Sequence, residues 1–159
     1  MNVRVGFGFD IHRLVENRKL ILGGVKLDFS RGLEGHSDAD VLLHSVCDAL
    51  LGAAGLGDLG KHFPATDPQY KDCPSAELLR RVHSLVQNRG FRIVNIDSTL
   101  IAETPKLAPY LESMVKSISG ILSLPPGQIN VKAKSYEGLD SIGRGEAIAA
   151  QAVAVIGKE

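Results

Sequence analysis

Asp10 and His12, in the run VGFGFDIHRL (5–14), are residues of the types that carry protons or bind metals. Residues two apart on a β-strand point the same way, so this carboxylate and imidazole would leave one face side by side. Gly6 and Gly8 share that face and leave it clear. Val3, Val5, Phe7 and Phe9 form the opposite, apolar face and are expected to anchor the strand in the core. A second set, Asp40, His44 and Asp48, is spaced by four and stacks along one side of a helix. Two imidazoles and one carboxylate are a usual protein ligand set for catalytic zinc, whose fourth position stays open to solvent or substrate. Asp48 or Asp40 would then orient the His44 ring from behind. Spacing alone leaves a second reading open: a strand-end Asp–His hydrogen bond and an unrelated helix histidine.

Three other stretches carry groups suited to phosphate chemistry. His36 and Ser37 stand at a helix start, where free N–H groups and the helix dipole suit a phosphate, or where Ser37 simply caps the helix. In GDLGKHFPATD (57–67), Asp58 lies between glycines, and Gly60 permits a close approach of backbone to ligand. In VKAKSYEGLDSIGRGE (131–146), a strand runs into a glycine-punctuated turn bearing Lys132, Lys134, Ser135, Glu137 and Arg144. Such a turn can hold phosphoryl oxygens, and Glu137 can take a hard cation, although charged turns also simply face solvent. His62 and His83 read as surface residues, and no Ser-His-Asp or Cys-His arrangement is evident.

The elements that must position these groups follow from periodicity. Residues 3–12 read as a strand, and KLILGGVKLDF (19–29) as a hairpin-like pair around Gly23-Gly24. A helix capped by Ser37 should run to about Ala54, with Gly55 past its end. Residues 56–74 lack periodicity and read as a long lid-like loop. A second helix follows, capped by Ser75 and closed by Gly90, then a strand at 91–103. A third helix is expected from Thr104-Pro105 to about Leu122, and strands at 128–135 and 146–157 close the chain. The small residues of AIAAQAVAV suit a closely packed strand, against other subunits as well as within the chain. The expected fold is α/β (α+β): one domain over 1–159, a mixed sheet with helices on one face.

Composition excludes several classes. The chain has 159 residues, 44% hydrophobic and 23% charged, with zero formal net charge, so neither nucleic acid nor an anionic membrane is indicated. No apolar run reaches the ~20 residues of a membrane span. The start lacks a signal peptide's basic head, and Cys47 and Cys73 lack metal-ligand spacing. A cytoplasmic chain is expected, or a plastid-stromal one after removal of a transit peptide.

Taken together, GFGFDIHRL, LGGV, GHSDADVLLHSVCDALLGAAGLGDLGKHFPATDP, ETPKLAPY, NVKAKSYEGL and GRGEAIA resemble the 2-C-methyl-D-erythritol 2,4-cyclodiphosphate synthase family along nearly the whole chain. The resemblance implies a homotrimer with active sites at subunit interfaces. It implies a phosphorus–oxygen lyase that cyclises 4-diphosphocytidyl-2-C-methyl-D-erythritol 2-phosphate with release of CMP, in the non-mevalonate isoprenoid pathway. By position, Asp10, His12 and His44 would hold zinc or another divalent transition metal, and Glu137 magnesium or manganese. His36 and Ser37 would meet the terminal phosphate. Asp58 and Gly60 would bind the methylerythritol part under a lid of Phe63, Pro64, Ala65, Thr66 and Asp67. Ala102, Pro105, Lys106 and Leu107 would line the cytidine pocket, with Ala133 and Lys134 beside them. Ser135 would contact the diphosphate, and His36, Asp58 and Ser135 would be the catalytic contacts. Arg144 lies where the family meets a diphosphate near the trimer axis. Three positions depart from the family pattern: Ala65 for an aspartate, Ser135 for a threonine, and Ser141 for a phenylalanine of the axial cavity. Two further readings use the same residues, a zinc-dependent phosphohydrolase and a non-catalytic trimeric binder of nucleotide or isoprenoid diphosphate.

Overall fold

In the computed structural model, which describes residues 2–158, seven strands and five helices follow one another with short 3-10 turns between them. They are β1 (Asn2–Glu16), β2 (Leu20–Leu22), β3 (Val25–Leu27), β4 (Arg31–Leu33), α1 (Val41–Ala54), α2 (Leu59–His62), α3 (Ser75–Asn88), β5 (Arg92–Ile101), α4 (Leu111–Leu122), β6 (Ile129–Lys134), α5 (Asp140–Gly143) and β7 (Ala147–Lys158). Five strands form a mixed sheet in the order β4-β1-β7-β5-β6, and β2 and β3 form a separate ribbon. β1 and β7 pair antiparallel from Asn2↔Lys158 to Arg13↔Ala147, and β5 and β6 run parallel. Helices α1, α3 and α4 cover one face, as the sequence predicts.

Which face they cover reverses one expectation. The apolar side of β1 does not enter the core: Val5 is 65% and Phe7 61% exposed, and Val3, Phe9 and Ile11 are exposed with them. The glycine side is the packed one. A Cβ at Gly6 would sit 1.9 Å from the Ala49 carbonyl oxygen, and one at Gly8 would sit 1.9 Å from that of Ser45. The α1 backbone thus lies directly on the strand, which only glycine permits. Ala150, Ala152 and Ala154 of β7 are buried on the same side.

The start of α1 also differs. Asp40, not Ser37, is the cap, and the helix begins at Val41. The Asp40 carboxylate is fully buried and accepts three backbone N–H groups, from Gly23 (2.9 Å), Gly24 (2.7 Å) and Leu43 (3.1 Å). One side chain therefore satisfies the helix terminus and the tight turn of the β2–β3 hairpin together, which a cap at Ser37 would not do. Burial raises its carboxyl to about 6 despite those bonds.

Three further boundaries shift. The 56–74 segment is partly ordered into α2 and a 3-10 turn at Pro68–Tyr70. Ser75 is the first residue of α3 and Pro74 its cap. The helix expected from Thr104-Pro105 begins only at Leu111: Ala102 still follows the sheet, its N–H donating to the Lys134 carbonyl at 2.9 Å, and a 3-10 turn at Ala108–Tyr110 precedes the helix. Strand β4, which pairs with Leu14–Glu16 of β1, had no sequence signal. Cys47 is a buried free thiol and Cys73 a half-buried one.

Replacing Gly8 with Ala should lower stability by about 3 kcal/mol, because the helix backbone must retreat to admit the methyl group. Urea denaturation checks this; a midpoint equal to that of the parent chain would contradict the packing.

Candidate metal centre and substrate cavity

Close packing of α1 on β1 carries His44 to Asp10 and His12, which lie within the strand, since it runs on to Glu16 rather than ending at residue 12. Asp10 Oδ2 lies 3.1 Å from His12 Nε2 and 2.9 Å from His44 Nδ1. One ligand atom from each residue falls within 4.8 Å of the others, the one grouping of this kind among the described residues. The two imidazoles come edge to face, with centroids 5.7 Å apart.

The donor set fits a divalent cation. His12 Nδ1 lies 2.6 Å from the Glu34 carbonyl, which only accepts, so that nitrogen carries the proton. Nε2 then turns a lone pair toward an anionic oxygen, an arrangement that needs a proton or a cation between them. Burial pushes the Asp10 carboxyl up, but the hydrogen bonds and charges of His12 and His44 outweigh it and hold it at about 2. The Asp10 contact in turn raises the His12 imidazole above its ordinary value.

The expected orienting role of Asp48 or Asp40 is not what the structure shows. Asp48 accepts the Leu59 N–H at 2.7 Å and ties α2 to α1, while Asp40 holds the hairpin turn. His44 Nε2 instead meets Ser75 Oγ at 2.8 Å and Ser37 Oγ at 3.2 Å. A Ser–His–Asp line therefore exists, from Ser75 through His44 to Asp10, although no local pattern announces it. Ser75 is fully buried and donates its hydroxyl to Asp38, which removes it as a nucleophile.

A cavity of about 240 Å³ opens beside the imidazoles. His36 and Ser37 form one wall; Gly60, Phe63 and Ala65 of the lid form another. Asp58 caps α2 by accepting the Lys61 N–H at 2.9 Å, and Asp67 caps the following 3-10 turn. The Asp67 carbonyl lies 3.4 Å from His36 Nε2, and Pro64 and Thr66 lie exposed on the same segment. Tyr70, edge to face with Phe63 at 5.3 Å, also lines the cavity. Sequence reasoning missed Tyr70, and an aromatic in an aperiodic loop offers no signal by which to find it. It also missed the roles of Ser75 and Asp38 behind His44. His62, read as a surface residue, is half-buried with Nε2 2.8 Å from the Leu56 carbonyl.

The remaining candidates gather elsewhere. Ala102, Pro105, Lys106 and Leu107 follow β5, Ala133 and Lys134 end β6 with Ser135 just past it, and Ala102 bonds to Lys134 between the two. The register places Asp10 opposite Ala150, Ala150 opposite Leu100, and Leu100 opposite Ala133, so this group sits across the sheet from the triad. None of its residues lines the cavity at the imidazoles. Glu137 is exposed, with φ +54°, and its N–H donates to Ser135 Oγ at 3.3 Å. Arg144 is exposed and pairs with Glu146 at 2.8 Å.

These features define a class: a sheet covered by helices on one face, with an Asp/His/His site shared by its first strand and first helix, able to hold a divalent cation beside a lidded cavity. The sequence profile of the YgbB family matches residues 3–157, and the chain belongs to that family. The 2-C-methyl-D-erythritol 2,4-cyclodiphosphate synthase of Geobacillus kaustophilus is 57% identical over 155 residues, covering 98% of each chain. The bifunctional IspDF from Campylobacter jejuni superposes with a TM-score of 0.94 at 43% identity; the match covers 98% of this chain, which spans 42% of that longer protein. A 2C-methyl-D-erythritol-2,4-cyclodiphosphate synthase in a CDP-bound form superposes with a TM-score of 0.89 at 38% identity, covering 97% of this chain and 100% of that one.

Because the Asp10 contact raises the His12 pKa, a cation must displace a tightly held proton at low pH, and metal affinity should rise with pH through that titration. Added zinc should therefore raise the melting temperature more at about pH 8 than at about pH 5.5. An equal shift at both would remove His12 from the ligand set.

Proposed function

We propose that this chain cyclises 4-diphosphocytidyl-2-C-methyl-D-erythritol 2-phosphate to the 2,4-cyclodiphosphate, releasing CMP as a phosphorus–oxygen lyase of non-mevalonate isoprenoid synthesis. The observation that carries this is the convergence of Asp10, His12 and His44 in a chain of the YgbB family. Residues 1–159 act as one domain in the cytoplasm; no helix among the described residues is long and apolar enough to cross a membrane.

In the reaction, an oxygen of the 2-phosphate attacks the β-phosphorus and CMP leaves. Two anions must meet, so positioning and charge neutralisation are the main tasks, and no protein nucleophile is required. Zinc at the triad and magnesium at Glu137 would supply Lewis-acid neutralisation of the attacking and leaving phosphates. His36 and Ser37 hold the 2-phosphate beside the triad. Asp58 and Gly60 hold the erythritol hydroxyls, with residues 63–67 closing over them to exclude water. The 102–107 segment, with Ala133 and Lys134, receives cytidine, and the Ser135 hydroxyl donates to the diphosphate.

Two features favour a homotrimer with shared sites. Val3, Val5, Phe7, Phe9, Ile11 and Val153 expose an apolar sheet face of the kind that subunits bury. The triad and the cytidine-side residues also occupy separate places on one chain, so a neighbouring copy is needed to complete a site.

Incubation with the cytidine-linked substrate, followed by phosphorus NMR, tests the proposal. Cyclodiphosphate with CMP is expected; a ring-opened phosphate would indicate a hydrolase, and binding without turnover a non-catalytic binder. His44→Ala should remain folded while losing bound zinc and at least about 100-fold in activity. Full activity without zinc in elemental analysis would refute the metal assignment. Glu137→Gln should raise the magnesium concentration needed for half-maximal rate while leaving zinc content unchanged; an unaltered magnesium response would remove Glu137 from that role.

A further inference from the structure

The N-terminus of α3 is held by a residue from another part of the chain. Asp38, before α1, accepts the Ser75 N–H on Oδ2 at 3.0 Å and the Ser75 hydroxyl on Oδ1. An ionised carboxylate has no proton to give, so the polarity of that second bond is settled. With its hydrogen committed to Asp38, Ser75 Oγ can only accept from His44 Nε2, 2.8 Å away. Ser37 Oγ, which takes the Ala39 N–H at 3.2 Å, adds a second acceptor at 3.2 Å from the same nitrogen. The ring therefore keeps a proton on Nε2, and Nδ1, 2.9 Å from Asp10 Oδ2, is left to share a proton with that carboxylate or to give its lone pair to a cation.

We infer that Asp38 and Ser75 are positioning residues that fix the tautomer and ring plane of His44, keeping Nδ1 ready as a metal ligand. This deepens the proposed function and rests on its reading of the triad as a metal site. The two imidazoles are prepared differently. His12 is set by a backbone carbonyl, at Glu34, and no side-chain substitution removes it. His44 depends on two side chains brought from opposite ends of the 39–74 segment. The same relay ties the far end of the lid to the ligand it covers, since Ser75 directly follows the 56–74 loop.

Nitrogen-15 NMR of the metal-free protein reads directly which ring nitrogens carry protons. The parent chain should show His44 with a proton held on Nε2. Ser75→Ala removes the principal acceptor and should give a mixture of tautomers. Asp38→Asn lets the amide donate to Ser75 Oγ, which frees the hydroxyl to donate to Nε2 and should favour the Nδ1–H form. Both variants should bind zinc 10- to 100-fold more weakly by chelator competition, and Ser75→Thr, which keeps the hydroxyl, should restore much of that affinity. Parent-like tautomer and zinc affinity in Ser75→Ala and Asp38→Asn would overturn the inference. The tautomer is measured without metal, so a parent chain that holds Nε2–H yet takes up no zinc would support the relay and count against the proposed function alone.

Discussion

The close approach of α1 to β1 is the constraint on which the rest depends. Two missing side chains, at Gly6 and Gly8, let the helix carbonyls of Ala49 and Ser45 settle onto the strand. That spacing brings His44, one residue before Ser45, within hydrogen-bond distance of Asp10, two residues beyond Gly8. A wider gap would leave the same three ligand types present but unable to share a cation. The buried Asp40 carboxylate secures the other end of the arrangement by holding the start of α1 to the β2–β3 turn.

At the site itself, each ring nitrogen turned away from Asp10 has an oxygen acceptor, the Glu34 carbonyl for His12 and the serine hydroxyls for His44. The nitrogens turned inward face a carboxylate. Such a cluster is satisfied by protons or by a cation, which explains the low Asp10 and raised His12 pKa values as two views of one contact. The lid forms the cavity wall because Asp48, Asp58 and Asp67 each accept backbone N–H groups along it and divide the loop into short ordered pieces.

Much of this was legible in the residues. The strand carrying Asp10 and His12, the helix carrying His44, and the helices on one face all follow from local spacing. The errors share a cause: they concern which of two partners a group chooses. Apolar Val3, Val5, Phe7 and Phe9 look like core, yet the glycine face packs because backbone-to-backbone contact excludes every other residue there. Ser37 and Ser75 look like caps, but Asp40 and Asp38 reach those termini from positions that also meet a second element. Asp48 lies one turn from His44 in sequence, but the Leu59 N–H lies closer to its carboxylate in space.

The sequence by itself determined the ligand types, their faces and the elements that bear them, because periodicity and capping act over a few residues. It also determined the family, whose motifs persist along the chain in order. Only the tertiary structure decided that β1 is packed through its glycines and that His44 is oriented by Asp38 and Ser75. It alone placed residues 102–107 and 133–135 across the sheet from the triad. Those outcomes turn on hydrogen bonds and close contacts between segments tens of residues apart, and no local pattern encodes which of several suitable partners will arrive there.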